Sequence, residues 1–315
     1  MPLYYEPPAT WFAHIPKTGG ISLGTLIEAA YKPSDVLRLE PPSLAKIAVS
    51  ELSRFRCFHD FHHGRAMLNL TGRTDLVCIT MLREPVERSV SQILYFQRTV
   101  AEIPHTFTPE YLQATQPILQ FDLSTPIDPT IFELVCDTQW SMLGVMRDYR
   151  PLFKGSPDAA SGRSVIRPFP VPLLTDLSDM KSVLDNARRW LSEMAIVGVN
   201  EHFNESVLLV CDVLGIPAPT SLPRANRNPQ RTNLKERYRS TLAPRVAEQL
   251  AELTQHDQEL YSIAYERFQQ QWAQYQAHPR RTYSIAPRLR ALRPKAAKLK
   301  RQLISRVRGP KISQV

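Results

Sequence analysis

Glycine is scarce in this chain, with 11 among 315 residues against 27 prolines. Long flexible linkers of the Gly-rich kind are therefore excluded, and the few glycines mark positions where the backbone has a special task. Cysteine is scarce too. Cys57, Cys78, Cys136 and Cys211 lie far apart with no CxxC pair, which argues against a zinc or dithiol motif and leads us to expect no metal. Their apolar neighbours suit buried free thiols in a reducing compartment. The chain has no internal repeat, so a solenoid or propeller is not expected. No run of about 18 apolar residues occurs, and the first residues, Met1-Pro2-Leu3-Tyr4-Tyr5-Glu6-Pro7-Pro8, lack the basic and apolar regions of a signal peptide. The expectation is a soluble, uncleaved, cytoplasmic protein.

Acidic residues are missing from the whole C-terminal stretch. Residues 279–315 hold twelve Lys and Arg and no Asp or Glu. The whole chain carries +9 and this tail +12, so residues 1–278 carry −3. The basic pI belongs to the tail, and no specific nucleic-acid partner is expected of the body. We divide the chain into a body, 1–278, and a basic tail, 279–315. Within the tail Leu289, Leu292, Ala296, Leu299, Leu303 and Val307 step by three or four between basic residues. That pattern fits an amphipathic helix that docks on an anionic membrane surface, making the protein peripheral to it, or gathers a polyanion; a solvated extension is the plainer alternative.

Apolar residues make up 43 % of the chain, enough for a sizeable core. Trp11–Ile15 is a short apolar run closed by Pro16, and Ser22–Ala30 reads as a helix after the turn Lys17-Thr18-Gly19-Gly20. Phe55–His59 is a weaker strand candidate, Asp75–Leu82 a strong one, and Ala195–Val199 another. Helices are expected at 85–98, near 130–143, at 179–193, at 203–214, and across 244–275 with a break near His256-Asp257. Residues 100–129 read as irregular, 150–176 as a long surface connection, and 218–235 as a polar loop. Alternating strands and helices predict an α/β fold: a P-loop-like open, mainly parallel sheet flanked by helices, with a helical C-terminal part. Ligands of such sheets bind at the carboxyl ends of the strands, where Lys17 and Arg83 both fall.

Two segments carry chemistry. In Pro16-Lys17-Thr18-Gly19-Gly20-Ile21-Ser22 two glycines admit close backbone approach, the helix start offers N–H groups, Lys17 adds charge, and Thr18 and Ser22 add hydroxyls. The lysine precedes the glycines, unlike the Walker pattern. In Leu82-Arg83-Glu84-Pro85-Val86-Glu87-Arg88-Ser89-Val90-Ser91 a charge closes a buried run, which calls for a partner. An anion held by the Arg83 fork and Ser91 is one reading; an Arg83–Glu87 pair with a solvated Ser91 is the other.

Taken together, the segments suit a nucleotide with phosphates at both ends. The chain here resembles the PAPS-dependent sulfotransferases, which use 3′-phosphoadenosine-5′-phosphosulfate, in the branch of the heparan sulfate 2-O- and 6-O-sulfotransferases and their bacterial relatives. HIPKTGG is similar to that branch's 5′-phosphosulfate loop, and LREPVERSVS to its 3′-phosphate motif LRDPVERxxS, with Glu84 in place of Asp. Residues 197–206 resemble its VGxxExFxES stretch and 257–268 its closing DxELYxxAxxxF helix. The resemblance covers roughly residues 11–270. It implies that Lys17 meets the bridging oxygen and the 5′-phosphate of the co-substrate, that Thr18, Gly19, Gly20, Ile21 and Ser22 cradle the phosphosulfate, and that Arg83 and Ser91 hold the 3′-phosphate. It also implies a base after the second predicted strand, within His59-Asp60-Phe61-His62-His63. The match is not clean there. His59 is the first choice and His62 the second, since imidazole accepts protons near neutrality. His14 reads as a core histidine that braces the loop, and Asn226-Arg227-Asn228 as a solvated loop or one near the nucleotide. The acceptor is expected to be a carbohydrate or another hydroxyl-bearing molecule, its pocket formed from residues 60–74, 100–128 and 150–176. A kinase-like P-loop enzyme and a non-catalytic nucleotide- or membrane-binding protein are the competing classes.

Overall fold

A computed structural model describes residues 6–61, 64–103, 138–154, 178–221 and 242–278, with short pieces at 112–113, 116–122, 124, 174 and 238. His62, His63, Cys136, residues 226–228 and the basic tail lie outside the described residues.

Five strands form one open, fully parallel sheet: β1 (Thr10–Ala13), β2 (Val36–Leu39), β3 (Cys57–Asp60), β4 (Val77–Leu82) and β5 (Ile196–Val199), in the order β2-β3-β1-β4-β5. Helices flank it: α1 (Gly20–Glu28), α2 (Gly64–Leu70), α3 (Pro85–Glu102), α4 (Thr138–Gly144), α5 (Met180–Glu193), α6 (Phe203–Leu214), α7 (Pro244–Leu253) and α8 (Gln255–Ala277). β1, β3 and β5 are buried along their whole lengths. That is why β1 and β5 read as continuous apolar runs rather than alternating ones, while β3 ends in the buried polar pair His59 and Asp60. Trp11, Phe12, Phe58, Ile79, Met81 and Val197 anchor the core they share with the helices.

The order places a switch point between β1 and β4. The chain leaves β1 toward β2 on one side and leaves β4 toward β5 on the other, which opens a crevice above their carboxyl ends. β1 pairs with β4 through Ala13 opposite Thr80, and the Thr80 hydroxyl donates to the Ala13 carbonyl at 2.9 Å. Residues 14–19 and Arg83 therefore emerge at one rim.

Several expectations shift. β2 was not foreseen. It is an edge strand with a half-buried alternation, and Arg38 breaks its apolar run in order to reach Glu28 on α1. The first helix begins at Gly20, because Gly19 takes up a left-handed conformation (φ 90°) and starts it early. The C-terminal break falls at Thr254, ahead of His256-Asp257, and Asp257 is buried in the first turn of α8. Residues 150–176 are not all surface: Leu152 and Phe153 are packed in the core. Likewise, within 100–129, Ile118 and Phe121 pack beneath α3. Among the described residues no helix is long and apolar enough to cross a membrane.

Candidate active site

The β1–α1 loop is built to present backbone N–H groups. Lys17 is left-handed (φ 71°), the one non-glycine residue with positive φ among the described residues, a strained state that clusters at functional sites. Gly19 follows in the same region of φ/ψ space, and no side chain caps α1, so its first N–H groups remain available to an anion. The Thr18 hydroxyl donates inward to the Ile15 carbonyl at 2.8 Å. It thus braces the loop, leaving the cradle to the backbone. Ser22 is buried and Ile21 exposed on the first turn. A side chain at Gly19 would strike Asn200 and Phe203, so the loop lies directly on the start of α6. Asn200 Nδ2 donates to the Thr18 carbonyl at 2.9 Å and pins it there.

Cations converge on this loop. Lys17 Nζ lies 4.0 Å from the centroid of the Tyr95 ring on α3. Burial first, then the fields of Arg98, Arg83 and Arg88, bring its pKa down to about 7. The Arg83 guanidinium donates to the Lys17 carbonyl at 3.2 Å and to Glu87 Oε2 at 3.0 Å. The Arg83–Glu87 pair is therefore real, but it uses only part of the fork: Arg83 Nε is buried without a hydrogen-bond partner. Ser91 stands one helical turn after Glu87 and one before Tyr95, the two residues that Arg83 and Lys17 touch. Lys17, Arg83 and Ser91 are thus brought to one side of α3, facing the loop.

The two C-terminal segments act as braces. Gln139, fully buried, binds the Arg83 backbone twice, accepting from its N–H and donating to its carbonyl, both at 2.9 Å. Asp257 accepts from the N–H groups of Gln139 and Trp140 and lies 3.8 Å from Arg88 Nε. Glu201 accepts from the Glu84 N–H and from the Tyr261 hydroxyl. Asn200, Glu201, Asp257 and Tyr261 therefore lock the loop and the Arg83 turn together. The segments holding them were noticed in the sequence, but their bracing role shows only in three dimensions. Gln139 had no sequence signal.

His59 does not open onto the crevice. It is buried, with Nδ1 2.6 Å from Glu28 Oε1 and Nε2 2.9 Å from His14 Nδ1. Both ring nitrogens are engaged, so a proton from outside reaches His59 only through a neighbour. Glu28 also accepts two bonds from Arg38, at 2.8 and 2.5 Å. Burial opposes ionisation of Glu28, but the hydrogen bonds from His59 and Arg38 outweigh it and hold the carboxyl below the usual range. Sequence reasoning missed Glu28 altogether. Among the described residues no three His, Cys, Asp or Glu side chains form a group able to hold a metal.

A cavity of about 260 Å³ opens beside Pro16, lined by Arg88 and Gln92 of α3, Ser141 and Met142 of α4, and Arg147 and Tyr149 beyond it. This lining comes from none of the three segments expected to form an acceptor pocket. Comparison with protein-family models and with curated proteins returns no match for this chain.

Proposed function

We propose that the protein is a sulfotransferase that moves a sulfuryl group from PAPS to an acceptor hydroxyl, most simply on a carbohydrate. The observation that carries this reading is the joint placement of an uncapped, Gly19-opened helix start with Lys17, and of Arg83 with a buried Nε that lacks a partner, on one rim of the sheet. Two anion-seeking centres side by side suit a ligand with phosphate at both ends. A Walker-type kinase needs its lysine after the glycines and a neighbouring Ser or Thr for magnesium; here the lysine comes first.

When bound, PAPS supplies an activated sulfuryl group and a phosphate leaving group. The chain's own residues do the rest. The N–H groups of Gly20 and Ile21 and the Lys17 ammonium hold the 5′ end, and Lys17 stabilises the charge that grows on the leaving oxygen. Arg83 and Ser91 hold the 3′-phosphate. The cavity beside Pro16 receives the acceptor, with hydroxyl and amide groups from Ser141, Gln92 and Tyr149 to orient it. The base that the resemblance implies is His59, whose ring nitrogens are engaged by Glu28 and His14.

Thermal denaturation tests the donor half without knowledge of the acceptor. The desulfated nucleotide, 3′-phosphoadenosine 5′-phosphate (PAP), at about 100 times its Kd adds ~2.7 kcal/mol. For a domain of this size that raises Tm by about 5–10 °C. No rise with PAP, together with a rise with ATP·Mg²⁺, would transfer the protein to the kinase-like class.

A further inference from the structure

Glu87, Ser91 and Tyr95 follow one another at four-residue steps along α3, on the side that faces the phosphate loop. The first takes Arg83. The last takes Lys17, whose Nζ lies 4.0 Å from the centroid of its ring. Among the described residues no carboxylate or carbonyl accepts a hydrogen bond from Lys17 Nζ, which leaves the ring face as the counterpart of its charge. The carboxylates of α3 on this side are committed to arginines: Glu87 accepts from Arg83 at 3.0 Å, and Glu102 lies 3.9 Å from Arg98. Tyr95 is 37 % exposed, and its hydroxyl makes no hydrogen bond among the described residues. The face of the ring, rather than its polar tip, is what this position supplies.

A ring and a carboxylate do different work beside a lysine that has to meet a phosphate. A carboxylate would neutralise the ammonium and then compete with the ligand for it. An aromatic face attracts a cation more weakly, through its quadrupole, and takes none of its charge away. An ammonium carries three N–H donors and no acceptor. With one side of it on the ring, the other donors are free for an anion in the crevice. Some holder is needed, because the lysine stem is flexible and its surroundings are hostile. Arg83 ahead of α3, and Arg88 and Arg98 on it, all repel the ammonium, and burial opposes its charge more than any of them. The Arg98 guanidinium lies 5.8 Å from the same ring.

We propose that Tyr95 is a positioning residue for sulfuryl transfer: its ring backs the Lys17 ammonium, keeps it charged and aims its remaining N–H groups at the leaving phosphate. The consequence for turnover rests on the sulfotransferase reading; the contact between ring and ammonium does not. The lysine is held before the ligand arrives, so less ordering is left for the transition state.

NMR of the full-length protein with ¹³Cε-labelled lysine tests the contact without any ligand. The Lys17 ε-methylene protons, identified by their loss in Lys17→Ala, should resonate upfield of every other lysine because they lie over a ring. Tyr95→Leu keeps an apolar cover and removes the π face. It should erase that shift and lower the Lys17 titration midpoint, which lies at about 7 in the wild type, by about one pH unit. The direction follows because the ring favours the charged form, so its loss favours the neutral one. Tyr95→Phe should leave both observables as in the wild type. In PAPS turnover with a competent acceptor, Tyr95→Leu should lower kcat/KM by roughly 3- to 30-fold, and Tyr95→Phe should restore it. Wild-type Lys17 protons without an upfield shift, or a midpoint unmoved in Tyr95→Leu, overturn the proposal whatever the reaction proves to be. Tyr95→Phe behaving like Tyr95→Leu also overturns it, by placing the role in the hydroxyl. Normal PAP binding and turnover in Tyr95→Leu removes the positioning role and leaves the sulfotransferase reading standing. Failure of PAP to bind the wild type removes that reading, and the NMR result still decides whether the ring holds the lysine.

Discussion

Lys17→Ala is expected to cut sulfuryl transfer by about 10²–10³-fold, the largest single effect in the molecule. On the proposed reading this lysine, over Tyr95 and itself in a left-handed turn, meets the negative charge that grows on the leaving oxygen. Its own charge is costly in the unliganded protein, since burial and then the neighbouring arginines bring its pKa down to about 7. A bound phosphate reverses that balance, because an opposite charge favours the ammonium. The sign can be worked through directly. At pH 8 the unliganded lysine is mostly neutral and the liganded one charged, so binding takes up close to one proton. At pH 6 both states are charged and uptake vanishes. Calorimetric titrations of PAP in Tris and in HEPES, which differ in ionisation enthalpy, measure this uptake. Lys17→Ala should abolish it. Equal heats in both buffers at pH 8 would mean that Lys17 does not meet the anion.

Arg83→Ala comes second. Loss of a charged hydrogen-bond partner costs about 1.5–3 kcal/mol, which weakens PAP binding by roughly 10- to 150-fold. Arg83→Lys should recover only part of this, since an ammonium keeps the charge but not the fork. The substitution also removes a donor from the Lys17 carbonyl and the partner of Glu87, so the alanine variant should melt lower than wild type. Affinity measured well below both melting temperatures separates the two effects. Arg83→Ala with wild-type affinity would leave the arginine only a structural role, toward Glu87 and the Lys17 carbonyl.

Much of this was legible in the chain. Buried parallel strands read as unbroken apolar runs, so β1, β4 and β5 were visible, and the charges that end such runs, Lys17 and Arg83, stood out. β2 was hidden because an edge strand needs only one apolar face and Arg38 interrupts it for a tertiary partner. The loop's chemistry was visible in its residue types, but the inward turn of the Thr18 hydroxyl was not, since its partner is a backbone carbonyl. The base was the least legible feature. The strand expected to end at His59 runs on to Asp60, and whether the His59 nitrogens face solvent depends on Glu28 and His14, which lie 31 and 45 residues away. The one local hint was glycine inside a helix at Gly24, a costly choice unless something must lie close against it.

The donor site can be judged by one titration: PAP and ATP·Mg²⁺ in turn against the full-length protein, by calorimetry at pH 8. Saturable, one-to-one binding of PAP with proton uptake, and much weaker binding of ATP·Mg²⁺, is the predicted result. Saturable binding of ATP·Mg²⁺ with no heat from PAP would contradict it.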